Sequence, residues 1–100
     1  MSAYLISDVR AKDPQAFDIY QLRAEASVEQ YGGRYLARGG AMRILVGCWA
    51  PQALEIVEFD TPEQATLWYD SPEYALALAL REEAPNGDLI LIDGVSSDSD

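Results

Sequence analysis

Arg34 and Arg38 stand four residues apart between two glycine pairs, Gly32-Gly33 and Gly39-Gly40, in a chain where 17 Asp and Glu outnumber seven Lys and Arg. The run between the pairs alternates with a period of two. In an extended strand this puts Arg34, Leu36 and Arg38 on one face and Tyr35 and Ala37 on the other. The two arginines would then lie roughly 13 Å apart, at about 3.3 Å per residue. Two cations on one face of a chain with net charge −10 suggest an anion-seeking surface. The chain has no histidine, which excludes Ser-His or Cys-His nucleophiles, histidine-held zinc and an imidazole as proximal haem ligand. Acid–base work is left to carboxylates, tyrosines and Cys48, with arginines as electrostatic stabilisers.

Composition narrows the partners. One hundred residues make one domain that buries only about two-thirds of its unfolded surface, so a second subunit would help. With 49% hydrophobic and 24% charged residues, the chain reads as globular. Its acidic excess repels phosphate backbones and anionic lipid, so neither nucleic acid nor a membrane is expected as partner. No run approaches the roughly 20 apolar residues of a membrane span, and no basic region precedes an apolar run at the N-terminus, so a cytoplasmic location is expected. Cys48 is the only cysteine. It excludes an intrachain disulfide or a cysteine-based metal cluster and reads as a small buried hydrophobe near a strand end.

The elements that must position these groups are legible in turn. A first strand is expected over Ala3 to Val9. Asp13-Pro14 gives an N-cap and a proline at the first helical position, and Phe17, Tyr20, Ala24, Val28 and Tyr31 form the apolar stripe of a helix that Gly32 terminates. A second strand is expected from Arg34 to Val46, bulged or bent at Gly39-Gly40. Trp49 should anchor the turn before a third strand over Ala53 to Phe59. Thr61-Pro62-Glu63-Gln64 is a capping box and Ser71-Pro72-Glu73 a second helix start, so Pro62 to Glu83 should be two helical pieces broken near Asp70. Tyr74 to Leu80 alternates like a strand, but Ala and Leu after a Ser-Pro cap favour helix. Pro85-Asn86-Gly87 is a turn, Asp88 to Gly94 the last strand, and Ser96 to Asp100 a disordered acidic tail behind a domain over residues 1–95.

This order is that of an α+β, ferredoxin-like βαββαβ fold, a four-stranded antiparallel sheet with its helices on one face. The first and third strands should be central and parallel. Both faces of the strands are apolar, however, Tyr4 and Ile6 as well as Leu5, Leu54 and Ile56 as well as Val57 and Phe59, and Ile90 and Ile92 as well as Leu89 and Leu91. If the uncovered face left about 500 Å² in water, its burial would be worth on the order of 10 kcal/mol before association entropy. A homodimer with facing sheets is expected.

Tyr4, Asp8, Asp13-Pro14, Gly32-Gly33-Arg34-Tyr35, Arg38-Gly39-Gly40, Glu58-Phe59, Trp68-Tyr69, Ser71-Pro72-Glu73-Tyr74 and Arg81 together resemble the domain of unknown function DUF1330. The resemblance runs from Ala3 to Val95. It implies a dimeric α+β barrel, an architecture shared by cofactor-free monooxygenases, lactone isomerases, haem enzymes that degrade chlorite or dyes, and proteins without assigned chemistry. Haem in that group is generally held by a histidine, so no haem, no other cofactor and no metal is expected.

At the positions that carry the resemblance, Arg34 and Arg38 could hold a carboxylate or enolate, with Gly39 and Gly40 bringing backbone N–H groups to the same anion. Alternatively they pair with Asp or Glu across the sheet or the dimer. Trp68, Tyr69 and Tyr74 could wall a pocket between helix and sheet, or pack the core. Ser71 is first an N-cap. Arg81 could close the pocket or neutralise Glu82 or Glu83. Asp8 and Glu58, toward the ends of neighbouring strands, are the candidate catalytic bases if apolar walls raise their pKa, or else ion partners of the arginines. Two functions follow. One is a protein binding a small anionic or enolisable organic molecule in a helix–sheet cleft, with or without cofactor-free catalysis. The other is a non-catalytic dimer acting in structure, regulation or stress response.

Overall fold

The computed structural model describes residues 1–8, 13–51, 53–81 and 88–95. Val9, the Pro85-Asn86-Gly87 turn, the tail from Ser96 and the side chain of Arg81 lie outside the described residues. The elements are β1 (Ala3–Asp8), α1 (Pro14–Gln30), β2 (Arg34–Arg38), β3 (Leu54–Phe59), α2 (Pro62–Tyr69), α3 (Pro72–Arg81) and β4 (Asp88–Asp93).

Each helix begins where side-chain chemistry starts it. The Asp13 carboxylate accepts the Gln15 N–H at 3.0 Å, the Thr61 hydroxyl accepts that of Gln64 at 3.1 Å, and the Ser71 hydroxyl accepts that of Tyr74 at 3.1 Å. These bonds satisfy N–H groups that have no partner within the helix. The capping box at Thr61 forms by half, because the Gln64 amide instead donates to the Tyr31 carbonyl beyond the end of α1. Gly32, at φ +82°, supplies the left-handed turn there. Gly33 allows the chain to pass against Phe59 and Val28, where a Cβ would sit 2.7 and 2.9 Å from their side chains.

The sheet order is β2-β3-β1-β4. β1 and β3 are the central pair, but they run antiparallel, correcting the expected parallel pairing. β3 also runs antiparallel to β2, so the strands that α1 joins as a crossover are β1 and β2, with β3 inserted between them. β2 stops at Arg38 rather than Val46. At that point its partner is nearly used up: Arg38 lies opposite Glu55, one residue from the start of β3, and Gly39 at φ +69° leaves the extended region. The bulge falls at Leu36 instead of Gly39-Gly40, since Tyr35 pairs with Val57 while Ala37 pairs with the adjacent Ile56. Cys48 and Trp49 follow in an exposed segment, so neither the buried thiol nor the indole anchor forms within this chain.

The helices cover one face. Ala3, Leu5, Val57 and Phe59 meet Tyr20, Ala24 and Val28 of α1, Ala65 and Trp68 of α2, and Tyr74 and Ala77 of α3 in one core. The Trp68 indole stacks 4.2 Å from the Tyr74 ring and 5.5 Å from that of Phe59, and its N–H donates to the Ser27 hydroxyl at 2.9 Å. That bond satisfies a polar group that burial would otherwise make costly.

Candidate functional site

The bulge decides which side chains can act together. Counting an extra residue at Leu36, Arg34 and Ala37 face away from the helices, opposite Glu58 and Ile56, whereas Tyr35 and Arg38 face the helices, opposite Val57 and Glu55. The two arginines therefore lie on opposite faces, and the paired cationic surface is not formed. On the open face Arg34 reaches Glu58 at 3.0 Å and Asp60 at 3.1 Å. On the helix face Arg38 lies 4.4 Å from the centroid of the Tyr35 ring and 3.4 Å from the Glu25 carboxylate of α1. Gly39 and Gly40 are exposed, with open space where a side chain would be.

The carboxylates separate too. Asp8 pairs with Leu54 and Glu58 with Tyr4, at opposite ends of the β1–β3 ladder. Glu58 is held below the usual carboxylate range by the Ser2 hydroxyl and, against some desolvation, by Arg34 and Tyr4, which is the reverse of what a general base near neutrality needs. Asp8 is buried and accepts the Ala53 N–H at 3.4 Å. Trp68 and Tyr74 belong to the core. Tyr69 is half exposed and lines a cleft of about 230 Å³ with Leu5, Ala65, Thr66, Leu89 and Leu91. Ser71 is the cap of α3.

The structure instead brings together a different set. Across the helix-facing side of the sheet, one row of partners reads Arg38 on β2, Glu55 on β3, Ser7 on β1 and Leu89 on β4. The next row, Tyr35, Val57, Leu5 and Leu91, is apolar apart from the phenol. Glu55 is only 5% exposed, and the Gln21 amide of α1 donates to its carboxylate at 3.1 Å. Beside it the Tyr20 and Tyr74 hydroxyls meet at 3.2 Å. Burial, then the charge of Glu55 and the neighbourhood of Tyr20, push the Tyr35 phenol well above its ordinary range, so it stays protonated; Arg38 opposes them only in part. Burial pulls the Arg38 guanidinium down, but the charge and hydrogen bond of Glu25, with Tyr35, leave it raised on balance. Gln21 joins this cluster to solvent, since it also lines a cleft of about 310 Å³ with Asp18, Leu22, Glu25 and Arg38.

The strand pattern carried a signal for this cluster. Glu55 is in phase with Val57 and Phe59, and Ser7 with Ala3 and Leu5, so each is a polar residue on a core-facing set. A charge at such a position costs several kcal/mol unless it is paired, so a buried carboxylate there marks a candidate functional group.

The family known as domain of unknown function DUF1330 matches residues 2–95. The chain belongs to that family. No curated protein matches it. Among solved structures, a protein of unknown function from Rhodopseudomonas palustris superposes on this DUF1330 chain with a TM-score of 0.74 at 19% identity, covering 95% of this chain and 83% of that one. A dimeric ferredoxin-like protein of unknown function from Thermobifida fusca gives 0.56 at 10% identity, covering 94% and 92%. A protein described as an antibiotic biosynthesis monooxygenase gives 0.53 at 20% identity, covering 95% and 99%. At these identities the likeness establishes the ferredoxin-like fold of the DUF1330 chain and nothing of its chemistry. Among the described residues, no helix is long and apolar enough to cross a membrane.

Proposed function

We propose that this DUF1330 protein binds a compact, enolisable organic molecule at the helix-facing end of the sheet, beside Arg38, Tyr35 and Glu55. The observation that carries this reading is Glu55, a carboxylate buried on the core side of β3 yet joined through Gln21 to an open cleft. Carboxylates outnumber Arg38 around the cleft: Asp18 and Glu25 line it, and Glu55 stands behind Gln21. That balance favours a neutral carbonyl compound over the organic anion expected from the two arginines. In this reading Glu55, reached past Gln21, takes a proton from the carbon beside the carbonyl, and the protonated Tyr35 phenol donates to the oxygen that gains charge. Arg38, over the Tyr35 ring, supplies a fixed positive charge nearby.

The test is deuterium exchange. A panel of small ketones, lactones and 1,3-dicarbonyls is incubated with the protein in D₂O and followed by proton NMR, alongside the Glu55→Gln, Tyr35→Phe and Arg34→Ala variants. Protein-dependent loss of the C–H signal, abolished in Glu55→Gln, weakened in Tyr35→Phe and retained in Arg34→Ala, is expected. Exchange that persists in folded Glu55→Gln removes Glu55 from the role, and a panel that produces neither exchange nor a shift of the Tyr35 or Glu55 resonances ends the reading.

We also propose that the chain is a homodimer. The support is the uncovered face, where Tyr4, Ile6, Ile56, Ile90 and Ile92 form an apolar surface with no helix over it among the described residues. A non-catalytic interaction protein is the second reading, and the pairing of both arginines inside the chain favours it. A panel without exchange, together with a stable dimer, would decide for that reading.

A further inference from the structure

Residues 39–51 are the least explained part of the chain. They carry no strand or helix, and residues 39 to 50 are all exposed. Yet they include Met42, Ile44, Leu45, Val46 and Trp49, with Leu45 87%, Val46 93% and Trp49 62% exposed. Single exposed hydrophobes are ordinary; five in thirteen residues, a run that opens at Gly39 at φ +69° and turns again at Gly47 at φ +91°, are not. The segment leaves the sheet at the end of β2, with the Gly39 N–H reaching the Leu54 carbonyl at 3.4 Å where β3 begins. It is an arm rooted in the β2–β3 connection.

We infer that this arm packs across the open sheet face of a second copy of the same chain. The inference rests on the dimer proposed above and states what each subunit contributes to the other. Three observations support a second copy as the occupant. The first is area. The arm's five hydrophobes and the exposed Leu36, Ile90 and Ile92 together leave on the order of 800 Å² in water, the share that one partner of a standard interface contributes. The second is charge. The arm holds one cation, Arg43, and no carboxylate, so it can cover the apolar face of another acidic copy without taking a carboxylate out of water. The third is reciprocity. Arm and uncovered face belong to the same chain, so a two-fold exchange satisfies both in both copies. The strand pattern expected over residues 41–46 is then met by a neighbour that one chain does not provide.

Cys48 lies in the arm, is exposed and is the only cysteine, so it takes a nitroxide label without engineering. Labelled chain at natural isotope abundance is unfolded together with ¹⁵N-labelled Cys48→Ser chain and refolded, and native mass spectrometry establishes that mixed dimers are present. The expected result is at least two-fold paramagnetic broadening of the Ile6, Ile90 and Ile92 amides in the ¹⁵N chain, reversed when the nitroxide is reduced. A mixed dimer without that broadening overturns the placement of the arm and leaves the face-to-face dimer standing, whereas a chain that remains at 11.0 kDa ends both proposals. A Leu45→Glu, Val46→Glu double variant gives a second readout. Sedimentation should fall from twice 11.0 kDa to 11.0 kDa with an unchanged circular dichroism spectrum; an undisturbed dimer overturns the inference.

Discussion

The two faces of the sheet are built from equally apolar strands but treated differently. On the helix side, Phe59, Val57, Leu5 and Ala3 are sealed under three helices. The only charged residue admitted among the core-facing positions of β3 is Glu55, at the end where α1 supplies Gln21. On the other side, Ile6, Ile56, Ile90 and Ile92 have no covering layer among the described residues, and the charges stand at the two ends, the Arg34, Glu58 and Asp60 group at one and the register partners Asp8 and Asp88 at the other. Burial on one face thus comes from the chain's own sequence and on the other waits on association. The lesson is that apolar alternation shows which residues seek cover and does not show what provides it.

The sharpest contrast between the faces is in stability. Trp68→Ala removes a buried ring that touches Phe59 and Tyr74 and leaves the Ser27 hydroxyl without its indole partner. It should cost about 3–5 kcal/mol in denaturant unfolding. Ile90→Ala, on the uncovered face, should change the stability of the dissociated chain by no more than about 0.5 kcal/mol. Equal losses from the two would mean that the open face is already packed within one subunit. Gly33→Ala tests the seam between α1 and the sheet. The added methyl would meet the Phe59 ring and the Val28 side chain, both in the core, well inside contact distance. Overpacking of this kind costs about 1–3 kcal/mol, and a stability matching the parent chain would show that Phe59 can move aside.

Much of this architecture is legible in the residues. Asp13-Pro14, Thr61-Pro62 and Ser71-Pro72 mark three helix starts because the capping oxygen and the proline act locally, and Tyr20, Ala24 and Val28 fall on the buried stripe their spacing predicts. What is lost is whatever depends on a partner strand. Nothing in Arg34 to Arg38 marks Leu36 as the extra residue, since bulge position is set by register against β3; one misplaced residue sent Arg38 to the wrong face and with it the expected cation pair. The direction of β1 against β3 is likewise a property of connectivity. The polar row of Arg38, Glu55 and Ser7 was half legible: Glu55 and Ser7 occupy core-facing phases, but Arg38 joins them only through the bulge.

Proton linkage separates the buried phenol from the carboxylates nearer solvent. On the helix side, Tyr35 has a folded pKa above its unfolded value, so the folded state holds that proton more tightly. Its contribution to stability is complete below about pH 10 and declines as the pH rises beyond that value, because the unfolded chain then loses the proton first. At two part-exposed carboxylates the sign is opposite. Glu58, on the open face, and Glu73, at the start of α3, are lowered when folded, Glu58 first by Ser2 and Glu73 first by its own backbone N–H and then Tyr31. Their contribution is present above about pH 4.3 and is lost as the pH falls below it. Unfolding midpoints measured from pH 3 to 11 should show both declines. Tyr35→Phe should flatten only the alkaline one, and a profile that the substitution leaves unchanged would remove Tyr35 as its source.

The smallest expected effect concerns the two arginines that first drew attention. Arg34 contacts Glu58 and Asp60 with half of its own side chain in water. Solvent and salt screen such a pair, and its side chains give up rotamer freedom to form it. Arg34→Ala should therefore leave the unfolding midpoint almost unmoved, and raising the salt concentration should shrink even that difference. Arg38 differs in what it covers rather than in its charge, because its guanidinium lies over the Tyr35 ring. Arg38→Ala exposes that ring, relieving the burial that raises the Tyr35 phenol most, and also withdraws the neighbour that opposes the rise, so the tyrosine absorbance titration should move, whereas Arg34→Ala should leave it in place. If Arg34→Ala disturbed that titration as much as Arg38→Ala, the two side chains would have to share a face after all, and the bulge at Leu36 would be in the wrong place.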